Sequence, residues 1–446
     1  MNNFSHSETR LVFFRSLRGK LTLLFLIISL IPLITVGLLA YKHAQDALQI
    51  EIINKLTAVR DIKARQINNY FNERLADIKI LSNNPTVITA MNDFDKAFQD
   101  ADEAMEQFRS LYSDKPDMID ADDGSIYSNI HAQYHSMFQE YKNTYHYYDI
   151  FLVEPHLGII LYSVDKENDF ATSLIDGPYA NTNIAHVFKE MLQVDNNNTT
   201  ILEDFAYYEP SEEAAAFVAS PIFNHTELVG VLIFQLSIKH IDANMQESTG
   251  LGETGETLLV SSDDFLLRSN SRLVQKDTIF KQKIDNKEIH TGQTGIATID
   301  YLGKSQLITY TPLKISGINW SLITKIDKTE AFASIQYMLI LLFSIIFVGS
   351  ILIGVIAFLF SQKLVKPIQK MTDIAHQLAN GNLNLTVDTK NNNDEIGVMA
   401  QAFQHMIINL REIIDDISQI SQGLATGDLS VIPKANYQGD FLQIKR

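Results

Sequence analysis

Two stretches without a charged residue, LTLLFLIISLIPLITVGLLAY (Leu21–Tyr41) and YMLILLFSIIFVGSILIGVIAFLF (Tyr337–Phe360), decide what this chain can fold into. A hydrocarbon core of about 30 Å takes roughly 20 apolar residues of helix to cross, and both stretches are long enough. The first is too long for the apolar part of a cleaved signal peptide, and no small-x-small site follows it. Pro32 would kink such a helix without forbidding it. Arg10, Arg15, Arg18 and Lys20 precede the first stretch, and Lys363, Lys366 and Lys370 follow the second. By the bias of cations toward the cytoplasm, both ends of the chain lie inside and the intervening segment is translocated.

That translocated segment is acidic. Lys42 to Gln336 holds 24 Lys and Arg against 43 Asp and Glu, while the whole chain has a net charge of −17. Such a surface repels a phosphate backbone, so nucleic-acid binding is excluded as its role. Cysteine is absent, which removes disulfides, thiol catalysis, iron–sulfur clusters and Cys-ligated zinc.

From Ala44 to Leu81, apolar residues recur at helical steps: Leu48, Ile52, Leu56, Val59, Ile62, Ile67, Phe71, Leu75 and Ile78. The pattern predicts one long stalk helix, stopped at Asn83–Pro85. More acidic helical sequence follows, up to a loop at Ala121–Ser125. Then YYDIFLVE, PHLG and IILYSV read as a strand hairpin, and FVASPIF, NHTE and LVGVLIFQLS read as another. Between them a loop leads to a short helix, capped near Asn181 or Asn183. A second, smaller set begins with ETLLVSS and FLLRSN as a strand pair and continues with GIATIDY, SQLITYTPL and WSLITKID.

Motifs for chemistry are weak. GLGETG (Gly250–Gly255) fits G-x-G-x-x-G, but it follows a helix and leads into a strand, the reverse of a dinucleotide site, and reads as a linker. His131 and His135 share a helix face, yet no acidic residue completes the zinc-protease pattern between them. No metal site and no cofactor is expected, and no nucleophile elbow, P-loop or kinase signature is present.

Together the blocks YYDIFLVEPHLGIILYSVDKENDFATSL, SPIFNHTELVGVLIFQLS, GLGETGETLLVSSDDFLLRSNSR and INWSLITKID resemble the double Cache sensor domains of bacterial chemoreceptors, over roughly residues 45–332. The resemblance implies PAS-like α/β modules: a distal one over about 82–246 that binds a small molecule, and a proximal one over about 248–328 that couples to the second membrane helix. A small-ligand pocket needs apolar walls with a few convergent polar groups. The distal module offers Tyr141, Tyr148, Tyr162 and Phe217 as walls, with Asp149, Asp169 and Ser220 as polar contacts. Amino-acid-binding members of the family carry an Arg/Trp/Tyr cluster for the ligand carboxylate. The matching stretch here, YKNTYHYYD (Tyr141–Asp149), has neither Arg nor Trp.

Beyond the second span, Leu364, Met371, Ile374 and Leu378 fit one heptad frame. Ile396, Met399, Phe403, Met406, Leu410, Ile413, Ile417, Ile420 and Leu424 then alternate by three and four. A repeat of about 3.5 residues keeps one seam toward a partner helix. One chain supplies two such helices, so a four-helix bundle requires a homodimer. This segment resembles the HAMP domain. By that resemblance Pro367 begins the first helix, Gly381, Leu383 and Leu385 form the connector, and Asp394, Glu395 and Gly397 open the second helix. LANGNL at Leu378 is echoed by LATGDL at Leu424, 46 residues on, and Asp394 by Asp440. The echo marks a second HAMP-like segment, with Leu424–Leu429 as its connector.

The expected architecture is an α+β membrane protein. It comprises a cytoplasmic N-terminus (1–20), a membrane helix (21–41), a periplasmic double Cache domain on its stalk (42–336), a second membrane helix (337–360), a cytoplasmic HAMP coiled-coil bundle (361–415) and the start of a second HAMP-like segment (416–446). The resemblance implies a multi-pass receptor of the bacterial inner membrane, of the methyl-accepting chemotaxis type, that makes and breaks no bond. It would sense a small-molecule ligand and reach a chemotaxis kinase and coupling protein through a signalling domain absent from this chain. The alternative is the sensory half of a histidine kinase, nucleotide cyclase or diguanylate cyclase, which the same front end also drives.

Overall fold

The computed structural model describes residues 16–99, 104–113, 115–387, 394–428 and 430–445. Arg10, Arg15, Leu429 and the polar loop at 391–393 lie outside the described residues. The chain divides into two compact units, Gln45–Ser334 and the remainder.

Helix α1 (Leu17–Ser82) carries Pro32 inside it and runs unbroken to the predicted stop. In the smaller unit, its apolar part and α8 (Ala333–Ala379) turn Ile28, Ile31, Val36, Phe343, Phe347 and Leu352 outward. Such a surface is stable only in hydrocarbon, where a helix satisfies its own backbone. The two helices meet through Phe25 and Phe360, whose rings lie edge to face 5.7 Å apart, and through Ser361, which donates to the Arg18 carbonyl at 3.1 Å.

The larger unit holds two antiparallel sheets. The stalk part of α1 is followed by α2 (Pro85–Gln99), α3 (Ala104–Tyr112) and α4 (Ile126–Tyr145). Five strands then pair in the order β2-β1-β5-β4-β3: β1 (Asp149–Val153), β2 (Ile160–Ser163), β3 (Ile201–Tyr208), β4 (Glu213–Asn224) and β5 (Glu227–Ser237). Helix α5 (Asn183–Met191) packs on β3 and β4, and α6 (Ile238–Gln246) leads out. Four strands pair in the order β6-β9-β8-β7: β6 (Glu256–Ser261), β7 (Gly295–Tyr301), β8 (Lys304–Pro312) and β9 (Trp320–Asp327), before the short α7 (Lys328–Ala331).

Several local expectations are corrected. Strand β6 pairs with β9, and FLLRSN meets it through an isolated bridge between Val260 and Leu267 and a Leu259 amide bond to the Ser269 hydroxyl at 3.0 Å, not as a paired strand. Thr182, not Asn181 or Asn183, precedes α5. The Asn183 amide instead donates to the Ala215 and Asp204 carbonyls at 2.7 and 3.1 Å. On the stalk, Ile62 is 47% exposed while Arg60 and Lys63 are each only 5% exposed. Both cations reach into the unit: Arg60 donates to the Tyr310 carbonyl at 3.3 Å, and Lys63 to the Asn244 carbonyl at 2.6 Å and to Glu247 at 2.8 Å. Long basic side chains bury their stems and place the charged head on an acceptor, which overrides the apolar count.

The GLGETG loop is a linker held by charge. Glu330 of α7 accepts from the Glu253 and Thr254 amides at 2.8 and 2.7 Å, and Arg272 donates to the Gly252, Glu253 and Gly255 carbonyls. Gly252 lies at φ +78°, and a β-carbon there would sit 2.3 Å from the Glu330 carboxylate and push it from its place.

Trp320, the single tryptophan, joins the two sheets to the stalk. Its ring lies 5.9 Å from Phe71 of α1 and 5.8 Å from Phe205 of β3, and its indole N–H donates to Asp204 at 3.0 Å. Truncating a buried aromatic costs the lost transfer energy plus a cavity. W320A is therefore expected to lower the stability of the Gln45–Ser334 unit by about 3–5 kcal/mol in urea unfolding followed by circular dichroism.

Candidate functional site

The register of the five-stranded sheet sorts the sequence-predicted residues onto two faces. Leu152 lies opposite both Tyr162 and Leu232, and Leu232 opposite Ser220. This face carries the helices. Phe94 and Phe138 each lie 5.1 Å from the Tyr162 ring, and Tyr141 of α4 lies 6.0 Å from Phe234. Ser220 shares a hydrogen bond of 2.8 Å with Ser82 at the end of the stalk. Tyr141, Tyr162 and Ser220 thus belong to the packing between sheet and helices.

The other face carries Asp149 and Phe217, both opposite Gln235. Tyr208 lies opposite Glu213, and its ring is 5.0 Å from Phe217. The loop after β2 supplies Glu167 and Asp169, pinned between two left-handed residues, Lys166 and Ala171. Tyr148 donates to Glu167 at 2.7 Å and Tyr208 to Asp169 at 2.5 Å. Asp149 is fully buried, and its carboxylate accepts the Ile150, Val164 and Asp165 amides at 2.6, 2.8 and 3.3 Å. It braces the exit of β2 and offers little to a ligand.

Electrostatics follow from this burial. Desolvation raises Asp169 to about 6, and raises Glu167 to about 7 with help from the neighbouring Asp169 charge. Asp149 is raised as well, by burial and then by Asp165. Lys166 is buried and falls to about 7, with its ammonium 4.9 Å over the Tyr162 ring. His131 and His135 stack 4.4 Å apart on the helix side, bonded to the Ile119 carbonyl and the Tyr162 hydroxyl at 2.7 and 2.8 Å. Burial and then Lys166 lower them to about 2 and about 4, so they pack as neutral rings. Among the described residues no group of three His, Asp or Glu side chains could hold a metal.

Sequence reasoning missed Glu167, Tyr208, Glu213 and Gln235. Gln235 had a readable signal: it is the one polar residue inside VLIFQL, a run buried throughout. A cavity of about 570 Å³ lies away from this face, lined by Asp95, Phe98, Glu106, Glu154 and His156.

In the smaller unit, α8 passes through Pro367 without a break, so Pro367 does not begin a helix. Gly381 ends it at φ +85°, with its amide on the Leu378 carbonyl at 2.9 Å and that of Asn382 on Gln377 at 3.0 Å. This is the left-handed cap that favours glycine. Leu383 and Leu385 are half-buried and Val387 is buried. Arg411 of α9 (Glu395–Thr426) donates to the Leu383 carbonyl, and Gln404 accepts the Val387 amide at 2.7 Å. Asp394 caps α9 by accepting the Gly397 amide at 3.1 Å, and Glu395 adds charge to the first turn. Gly427 repeats the Gly381 geometry at φ +80°. Asp440 lies in a short 3-10 turn (Gly439–Phe441) and does not repeat the role of Asp394. Ala400 and Ile407 face the connector, whereas Val398 and Met406 stay 67% and 40% exposed.

Comparison with known proteins bears on the whole arrangement. The Cache domain family matches residues 44–335, more than half of the chain. The chain belongs to that family. The HAMP domain family matches residues 359–412. The chain is 26% identical over 212 residues to y4sI of Sinorhizobium fredii, named a probable chemoreceptor, covering 46% of this chain and 27% of that protein. It is 23% identical over 212 residues to the methyl-accepting chemotaxis protein PscA of Pseudomonas syringae, covering 45% and 32%. It is also 29% identical over 204 residues to an NtrY-like protein of Rickettsia prowazekii, named for a sensor histidine kinase, covering 45% and 30%. The chain spans under a third of the length of these curated relatives. Among solved structures, the ligand-binding domain of chemoreceptor CtaA from Pseudomonas fluorescens, in complex with L-isoleucine, aligns with 65% of this chain and 98% of its own at 15% identity and a TM-score of 0.38. This Cache protein is a transmembrane sensor. Its Cache domain stands on the periplasmic side of the inner membrane between two apolar helices, and its HAMP segment follows the second.

A carboxyl raised by burial favours the folded state while protonated, and that contribution is lost as pH rises through its folded value. D169N cannot lose a proton, and its amide oxygen still accepts from Tyr208. Relative to wild type, D169N should therefore gain on the order of 2–3 kcal/mol of stability between about pH 4 and about pH 7.5. Scanning fluorimetry at the two pH values checks this. A constant difference would show that Asp169 ionises normally.

Proposed function

We propose that this chain is the sensory and relay portion of a bacterial chemoreceptor, with the ligand bound in the membrane-distal Cache module over about 82–246. The carrying observation is that α8 runs unbroken from the foot of the Cache domain, through its apolar stretch, to the Gly381 cap where the connector begins. A ligand shifts a two-state protein only by binding one state more tightly than the other. Here the shift would travel from the distal module through the proximal one to α8, as a small displacement that the HAMP bundle converts into one of two packings. No bond is made or broken.

The bundle needs a second chain. Met406 and Leu424 of the heptad seam stay exposed on α9 (40% and 60%), and seams of this kind are buried by a partner helix. A chemotaxis kinase and its coupling protein are the proposed downstream partners, reached through a signalling domain. The kinase-named relative supports a second reading, in which the same front end drives a histidine kinase.

Fusing residues 1–446 to the signalling hairpin of a chemoreceptor in a receptorless bacterium tests the first reading. Ligand-dependent control of the chemotaxis kinase is expected, and a fusion that assembles in the membrane yet never changes kinase output would count against it. Residues 361–446 alone are expected to sediment as a dimer at high concentration. A monomer there would remove the bundle.

A further inference from the structure

On the ligand-side face of the five-stranded sheet, hydrogen-bond acceptors outnumber donors. Among the described residues, Asp169 Oδ1, Gln235 Oε1, Glu167 Oε2 and Glu213 Oε1 accept no hydrogen bond. Asp169 and Gln235 are both fully buried, where an unpaired acceptor carries its full desolvation cost. The donors within reach are committed. Tyr148 and Tyr208 each hold the other oxygen of Glu167 and Asp169, and the Gln235 amide donates to Ser211 at 2.9 Å.

The nearby cations are committed too. Lys142 pairs with Asp165, Lys239 pairs with Glu213, Arg109 donates to the Asn168 carbonyl at 3.1 Å, and the Lys166 ammonium donates to the Val164 carbonyl at 3.3 Å. Lys239 is 75% exposed, so water screens most of its charge. Of the three carboxylates only Glu213 has an ion pair among the described residues, and burial raises Asp169 and Glu167. The rings of Tyr148, Tyr208 and Phe217 supply walls whose faces attract a cation. A ligand carboxylate would add acceptors where none can be met.

We propose that this face binds a small organic cation rich in N–H donors, an amine or guanidine without a carboxylate, held by Asp169, Glu167, Glu213 and Gln235. The inference rests on the reading of this module as the ligand-binding one.

The test is calorimetric titration of the full chain in lipid nanodiscs with putrescine, agmatine, tetramethylammonium, glycine, L-alanine and succinate. Putrescine or agmatine is expected to bind and tetramethylammonium, which has no N–H, to bind far less. Charge-assisted hydrogen bonds of this kind predict a loss of about tenfold or more in both D169N and E167Q. D95N, in the cavity lined by Phe98 and Glu154, should bind as wild type does. D169N keeps the Tyr208 hydrogen bond and Glu167 is only half-buried, so both variants are expected to fold, with circular dichroism as the check. Equal affinity in the folded variants would overturn the proposal, as would the absence of binding by either amine. Binding of glycine or alanine alone, lost in D169N, would overturn the amine class while leaving the distal module as the sensor.

Discussion

One helix face holds the extracytoplasmic unit together. Phe71, fully buried on the stalk, meets Trp320 of the second sheet, and Trp320 meets Phe205 of the first. Arg60 and Lys63 on the same helix tie it to a carbonyl of β8 and to the end of α6. Neither sheet could shift along the stalk without breaking one of these contacts. Because interiors are close-packed, a change in the first sheet is passed on as a discrete repacking and does not fade into soft deformation. That property would let the proposed ligand site, more than 100 residues before the second membrane helix, act on that helix.

The route onward is set by charge and by helix continuity. The Glu330 carboxylate binds the loop between the two modules to the short helix that precedes α8, and the absence of a β-carbon at Gly252 permits the contact. From Ala333, α8 continues to Ala379, past Pro367. A proline removes one backbone donor from a helix and usually kinks it. At Pro367 the helix stays continuous with one backbone donor fewer. At the far end, glycine caps at Gly381 and Gly427 make two equivalent helix ends, which explains why LANGNL and LATGDL repeat.

The large features were legible because each rests on one strong local signal. Uncharged runs gave the membrane helices, alternation gave most strands, and Gly381 with Asp394 gave the connector. What stayed hidden depends on register and on contacts between distant residues. Tyr162 and Ser220 looked like pocket residues, yet a pleated strand sends neighbouring side chains to opposite faces. Their partners, Leu152 and Leu232, place them toward the helices. Strand β3 was missed because LEDFAYY has no clean alternation, and with it went Tyr208. Asp149 attracted attention as a charged residue in a strand, but local backbone amides occupy it. In the bundle, the heptad count chose Met406, whereas the chain's own packing buries Ile407 and leaves Met406 toward the open side.

The account stands on coupling between the acidic face of the distal module and the cytoplasmic bundle. The chain has no cysteine, so a single spin label can be placed without background. Labelling Gln369→Cys, an exposed position on α8 beyond the membrane, and measuring the label-to-label distance in nanodiscs by double electron–electron resonance tests that coupling directly. The account predicts one well-defined distance from a dimer. Saturating putrescine or agmatine should shift it by on the order of 1–2 Å, and should leave it unmoved in D169N. An unchanged distance while calorimetry shows the wild-type site filled would contradict it.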